Sequence, residues 1–299
     1  AGDVAVLVAI TRVVGMRTPG EWALFRRLRW SLGRGPAQSG LHYEVESVQR
    51  RFSMLTLALT DGARTAQAEV ILRRPPPRQP SLLDVAMLVD PAELSGTRAL
   101  VVGAARGLGE LAAKLVVAAG GRALLTFRTG SADAAAVVDE LGAAASSVAL
   151  DVTDVSAANI DLITVFAPTA VLFFASPPVA RRPPGSWDGE LFRHFLDVYV
   201  SGFMAVLDAA DRGGSLCHVL VPSTSFVDER PQGFAEYVAA KSAAETVAAE
   251  WARHHPGVVV RAPRLPPLIT DQTAALLGDD TGANAQVVLD AIRSAVIST

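Results

Sequence analysis

The stretch Val101-Val102-Gly103-Ala104-Ala105-Arg106-Gly107-Leu108-Gly109 constrains this chain more than any other. An apolar run that reads as a strand, residues 98–102, leads into it, and an apolar helical pattern over 107–119 leads out. Glycine accepts left-handed backbone without a steric penalty, so Gly103-x-x-x-Gly107-x-Gly109 can turn sharply between the two. Such a turn gathers backbone N–H groups at the positive end of a helix dipole, an arrangement that holds phosphate. In strand–turn–helix context the spacing marks Gly103, Arg106, Gly107, Leu108 and Gly109 as candidate contacts to a dinucleotide.

The chain beyond this loop keeps alternating. Strands are expected over 122–127, 147–150, 170–174, 215–221 and 258–262, and helices over 132–141, 187–210, 235–254 and 285–296. Short apolar strands separated by helices predict an α/β fold, a Rossmann-like doubly wound parallel sheet with its ligand at the carboxyl ends of the strands. The strand after the glycine loop ends in Thr126-Phe127-Arg128-Thr129. No carboxylate stands there to accept from a ribose 2′-hydroxyl. Arg128, with Arg106, instead offers guanidinium groups to a 2′-phosphate, which predicts NADP(H) as cofactor.

A second constellation lies further on. Tyr237 and Lys241 in Tyr237-Val238-Ala239-Ala240-Lys241 share one helix face at i and i+4. A nearby ammonium favours phenolate and should lower the tyrosine pKa from its ordinary value of about 10. The run Val219-Leu220-Val221-Pro222-Ser223-Thr224-Ser225 ends a strand about a dozen residues earlier, where a hydroxyl can meet Tyr237.

Glycine loop, strand-end serine and Tyr-x-x-x-Lys, in this order, resemble the short-chain dehydrogenase/reductase superfamily over about residues 98–273. The chain is most similar to 3-oxoacyl-thioester ketoreductases of fatty-acid and polyketide assembly. The resemblance implies that Tyr237 is the general acid and that Lys241 holds the nicotinamide ribose. Ser223, with Ser225 as alternate, would bind the substrate oxygen. It also implies that Asp151 and Val152 contact the adenine, and that the backbone of Ala175 and Ser176 borders the ribose. The implied reaction is NADPH-dependent reduction of a ketone, a 3-oxoacyl thioester on CoA or on a carrier protein. A catalytically weak or idle NADP-binding module of a larger acyl-assembly enzyme is the alternative. Several positions depart from the family, among them the end of the fourth strand and the next long helix. Phe173-Phe174-Ala175-Ser176 replaces its Asn-Asn-Ala-Gly, and Tyr199 stands where its relay asparagine is expected.

The N-terminal part is organised differently. Arg73-Arg74-Pro75-Pro76-Pro77-Arg78-Gln79-Pro80 reads as a stiff extended spacer. Ahead of it, a helix over 4–14 precedes strands over 22–32, 41–49, 51–59 and 66–72, with Asp61-Gly62 as a turn. Val13-Val14-Gly15-Met16-Arg17-Thr18-Pro19-Gly20 after a helix resembles part of a hotdog domain of the acyl-thioester dehydratase type, without its Asp/His signature. The expected organisation is a partial hotdog-like segment over 1–74, a Pro-rich linker over 75–97 and an NADP-binding reductase domain over 98–299. The chain is expected to be an internal piece of a longer multidomain polypeptide or a homo-oligomer.

Composition narrows the partners. Net charge is −3 and no block of like charges occurs, so no footprint for nucleic acid exists. Apolar runs are too short to span a membrane. Cys217 is the only cysteine and reads as a small hydrophobe in a buried strand, consistent with a cytoplasmic protein without disulfides. The five histidines show no ligand spacing, so no metal is expected.

Overall fold

A computed structural model describes residues 2–20, 23–33, 35–72, 78–270 and 281–297. The chain divides into two compact units, Ala1–Pro76 and Pro77–Thr299. Each has its own core.

The first unit opens with helix α1 (Gly2–Met16), followed by strands β1 (Ala23–Leu32), β2 (His42–Gln49), β3 (Met54–Thr60) and β4 (Arg64–Leu72). They form one antiparallel sheet in the order β1-β4-β3-β2. Alternation along β3 turns Leu55, Leu57 and Leu59 to one face, where Ile10, Val13 and Val14 of α1 pack. The β3–β4 hairpin turns at Asp61-Gly62, as its sequence predicts. Gly62 takes φ +84°, and the Asp61 carboxylate accepts the Arg64 N–H at 2.7 Å. The third strand starts at Met54 rather than 51, because Arg50–Phe52 coil into a 3₁₀ turn that ends in left-handed Ser53. Trp22 lies outside the described residues.

The second unit contains α2 (Leu82–Ala86), β5 (Arg98–Val102), α3 (Gly107–Ala118), β6 (Arg122–Phe127), α4 (Ser131–Leu141), β7 (Ala145–Ala149), α5 (Ala157–Phe166) and β8 (Ala170–Phe173). Then come α6 (Gly189–Leu196), α7 (Phe203–Asp211), β9 (His218–Leu220), β10 (Ser223–Thr224), α8 (Phe226–Glu229) and α9 (Ala235–His254). β11 (Val259–Arg261), β12 (Arg264–Leu265) and α10 (Gly282–Val296) complete the described elements. Six strands form a parallel sheet in the order β11-β9-β8-β5-β6-β7. This is the doubly wound, Rossmann-like arrangement that the alternation predicts. Residues of α3, α4 and α10 fill the core on one face, and those of α5, α7 and α9 fill the other. Strand order reverses between β5 and β8, where such a sheet opens a crevice at its carboxyl edge.

Four local readings change. Residues 78–97 are not a bare spacer. Ser81 and Asp84 form a capping box that starts α2, and Val85 and Leu94 are buried in the second unit's core. Helix α5, with Ser156 as N-cap, fills the stretch before β8, where the sequence pattern predicts no helix. The helix expected over 187–210 is interrupted by a π-helical turn, Asp197–Gly202, between α6 and α7. Cys217 is exposed, because β9 begins one residue later and only Val219 and Leu220 reach the interior.

Candidate functional site

The crevice at the switch point is built by close backbone approach. Gly103 has φ +80°, and a Cβ on it would sit 2.8 Å from the Cα and N of Ala175. A Cβ on Gly109 would sit 2.2 Å from the Gly103 carbonyl oxygen. These two glycines let the β5 turn touch the end of β8 and the start of α3. Gly107, at φ +63°, differs, since the nearest atom to its Cβ would be a Thr270 methyl at 3.8 Å. A side chain there would make ordinary van der Waals contact and no clash, and Gly107 opens the first turn of α3, whose N-cap Arg106 makes no side-chain cap bond. The Glu110 carboxylate accepts the Gly107 N–H from within that turn. Leu108 is partly buried against the core.

The cationic side of the crevice is less bare than its sequence suggests. Arg106 Nε lies 3.7 Å from Asp133 Oδ2. Arg128 is exposed at the end of β6. Hydrogen bonds from Thr153, then the charges of Arg128 and His194, hold the Asp151 carboxyl below the usual range. Val152 is buried against Gly202 of the π turn, where a Cβ would lie 2.8 Å from Val152 Cγ2.

Helix α9 supplies the second half of the site. It carries Tyr237, Lys241 and Glu245 at successive i+4 positions. Lys241 Nζ donates to the Pro222 carbonyl at 2.8 Å and lies 4.2 Å from the centroid of the Tyr199 ring. Burial pulls its pKa down to about 8, against the opposing pull of Glu245. The Tyr237 ring sits among Phe195, Tyr199 and Phe226, with centroids 5.9, 6.0 and 6.5 Å away. The depression expected from Lys241 is not what this packing produces. Burial pushes the Tyr237 phenol above its ordinary value, and a hydrogen bond with Thr224 opposes that only in part.

The strand-end hydroxyls sort in an unexpected way. Ser223 Oγ donates to Glu245 Oε1 at 2.5 Å. Arg264 on β12 grips the same carboxylate at 2.9 and 2.6 Å and also reaches Asp228. Arg264, ahead of Ser223 and Lys241, holds the Glu245 carboxyl below its usual range. Ser225 Oγ is buried without a hydrogen-bond partner. The hydroxyl that meets Tyr237 is therefore that of Thr224, a residue the sequence argument passed over. Side chains alternate along an extended segment, so Thr224 faces away from Ser223. The only available signal was that parity, and nothing in the sequence says which face looks toward α9.

Ser176 and Tyr199 join the two halves. Ser176 Oγ donates to the Pro177 carbonyl at 3.0 Å, which leaves the Tyr199 phenol to donate to Ser176 at 2.6 Å. Tyr199 is 1% exposed, and burial, then the neighbouring Tyr237, pushes its pKa well above the ordinary value. Among the described residues, no group of three or more His, Cys, Asp or Glu side chains is placed to hold a metal ion. Nor is any helix among them long and apolar enough to cross a membrane.

No protein-family model matches the chain, and no curated protein matches it by sequence. Solved structures do. A short-chain dehydrogenase/reductase family protein superposes with TM-score 0.57 at 23% identity, covering 68% of this chain and 91% of its own. A short-chain type dehydrogenase/reductase from Mycobacterium ulcerans gives TM-score 0.58 at 24% identity, over 68% of this chain and 84% of that one. A 3-oxoacyl (acyl-carrier-protein) reductase from Agrobacterium tumefaciens C58, solved with NADP bound, gives 0.56 at 19% identity, over 68% and 88%. At these identities the likeness is one of fold. About two thirds of the chain has the short-chain dehydrogenase/reductase fold, and a four-stranded antiparallel sheet precedes it.

Proposed function

We propose that residues 98–299 act as an NADPH-dependent ketoreductase whose substrate is a 3-oxoacyl thioester, carried on CoA or on a carrier protein. One observation carries this reading, an unbroken line of contacts from the glycine loop to the phenol. Gly103 abuts Ala175, and the adjacent Ser176 holds Tyr199. Tyr199 lies under Lys241 and beside Tyr237, and Tyr237 meets Thr224. A phosphate-type turn and a partly buried phenol are thus linked across the switch point of the sheet.

The residues present fit a dinucleotide. Gly103 and Gly109 close the turn, and the first turn of α3, opened by left-handed Gly107, is where a pyrophosphate would sit. With Leu108 they form the phosphate loop, and Arg106 and Arg128 would take the 2′-phosphate. Asp151 and Val152 would border the adenine, Ala175 and Ser176 the ribose, and Lys241 the nicotinamide ribose. When bound, the reduced nicotinamide supplies a hydride.

The chain's own groups handle the proton. A phenol held above its ordinary pKa is fully protonated at neutral pH, the form a general acid needs. Tyr237 gives that proton to the carbonyl oxygen, and the Thr224 hydroxyl orients the same oxygen. Lys241 stands one helical turn from the resulting phenolate on α9, and a cation on that face would favour it. Support for a thioester substrate is associative. The first unit packs a single helix on a four-stranded antiparallel sheet and resembles part of a hotdog domain in its sequence, and one solved neighbour is named as a 3-oxoacyl (acyl-carrier-protein) reductase.

A second reading, an NADP-binding module with little turnover, draws on two observations. Ser223 is engaged by Glu245, and Lys241 lies against Tyr199. One experiment separates the two. Wild-type protein is titrated with NADPH and then assayed with an acetoacetyl thioester mimic, beside Tyr237→Phe. Binding with NADPH consumption that vanishes in Tyr237→Phe supports the reductase. Binding without consumption on any ketone supports the idle module. Undiminished consumption in Tyr237→Phe overturns the assignment of the acid.

A further inference from the structure

We infer that Tyr199 is a positioning residue for Lys241, acting through the face of its ring and not through its hydroxyl. The ammonium lies 4.2 Å from the ring centroid, inside the roughly 6 Å range over which an aromatic quadrupole attracts a cation. The hydroxyl is committed elsewhere, since it donates to Ser176, whose own hydrogen goes to Pro177. It is not available as a proton carrier for the amine.

Local structure explains how a tyrosine reaches this place. Tyr199 sits in the π-helical turn Asp197–Gly202, which inserts an extra residue between α6 and α7. One residue turns a helix by about 100°, so the insertion re-aims the side chains around it. The Tyr199 ring is then locked, stacked on Phe195 at 5.8 Å between centroids with an interplanar angle of 10°.

The other groups around the amine leave room for this role. From α9 comes the Glu245 carboxylate, with Tyr237 one turn away on the same face, and from just beyond β9 the Pro222 carbonyl. The carboxylate is already shared with Ser223 and with Arg264 of β12, so its pull on Lys241 is blunted. The amine is desolvated, with a pKa near 8, and the Tyr199 face is an uncommitted attraction that opposes deprotonation. The functional meaning of this contact rests on the reductase reading, but the contact itself does not.

The chain has two lysines, Lys114 and Lys241, so lysine labelled at Cε and Nζ yields two resonances. Lys114 serves as an internal report on folding. In the wild type, Lys241 is expected to titrate near 8. It should stay there in Tyr199→Phe and in Ser176→Ala, which keep the ring. Site-specific replacement of Tyr199 by phenylalanines of increasing fluorination keeps the shape and weakens the quadrupole. The midpoint should fall stepwise, toward about 7 at full fluorination. Tyr199→Leu should do the same if Lys114 shows the protein folded. A midpoint that does not respond to fluorination overturns the inference. So does a shift in Tyr199→Phe or Ser176→Ala as large as that from fluorination, which would place the effect in the hydroxyl. These titrations need neither cofactor nor turnover, so failure to reduce any ketone leaves the outcome readable.

Discussion

The Ser223 hydroxyl donates to Glu245 Oε1, and Thr224, one residue on, is the hydroxyl that Tyr237 meets. A hydrogen bond to an oxygen that gains charge in the transition state contributes on the order of 3 kcal/mol, or about a hundredfold in rate. Thr224→Val should therefore lower kcat/KM for an acetoacetyl thioester by roughly that factor. Ser223→Ala should change it by no more than a few-fold, because Arg264 still holds Glu245. Steady-state assays of the two variants decide, and the opposite order would return the role to Ser223.

Burial of Lys241 predicts a pH-dependent stability. Its pKa is about 8 in the folded chain against about 10.4 when exposed. Between those values the unfolded chain binds more protons, so stability rises with pH across that window. Below pH 8 the full penalty of the buried charge is present, about 3 kcal/mol. Lys241→Met should be more stable than wild type at pH 7, and the difference should shrink by pH 9.5. Urea denaturation at the two pH values measures it. An unchanged difference would show that the amine is not desolvated.

Lys114 is 4% exposed at its side chain and bonds Glu110, Glu140 and the Pro80 carbonyl. Leu82 N–H donates to Glu140 as well, so this cluster fastens residues 80–82 to α3 and α4. Burial already pushes the Glu110 carboxyl up, and Lys114 opposes that. Removing the cation strands a carboxylate in a dry place, which costs about 3–5 kcal/mol. Lys114→Ala should show that loss in urea, and adding Glu110→Gln should restore a large part. Equal stability of the single and double variants would exclude the stranded charge as the cause.

Arg106 and Asp133 form a 3.7 Å pair beside the proposed 2′-phosphate site. Asp133→Asn should remove one anion that competes with the phosphate for Arg106 and tighten NADPH binding severalfold while leaving NADH unaffected. Arg128→Ala should weaken NADPH by about tenfold to a hundredfold, the strength of a charge-assisted hydrogen bond. Fluorescence titrations with both cofactors test this. Equal effects on NADPH and NADH would remove these residues from phosphate recognition.

Much of the architecture was legible in the chain. The glycine loop between an apolar strand and helix, and the strand–helix alternation after it, depend on local periods and on residues with special backbone freedom. Those are properties of neighbours in sequence, so β5, the Gly103–Gly109 turn, α3 and α9 could be read directly. Helix α5 was harder to see. Ile160, Leu162, Ile163, Val165 and Phe166 spread apolar character around it and blur the helical period. Residues 75–97 read as a linker because the proline run that opens them is a local feature, whereas the core that takes up Val85 and Leu94 is not.

For the site, the amino-acid sequence by itself determined which groups are present: the three glycines, Arg106, Arg128, Tyr237 and Lys241 on one helical face, and three hydroxyls in Ser223-Thr224-Ser225. Tertiary structure alone decided their partners. Which hydroxyl meets Tyr237 depends on how β10 turns against α9, a parity that Glu245 and Arg264 set from far away in sequence. Where Lys241 points depends on a π turn some forty residues earlier that brings Tyr199 beneath it. Whether the Tyr237 phenol is raised or lowered depends on a contest between burial and charge. Burial is a property of everything packed around a group, and no window of sequence contains it.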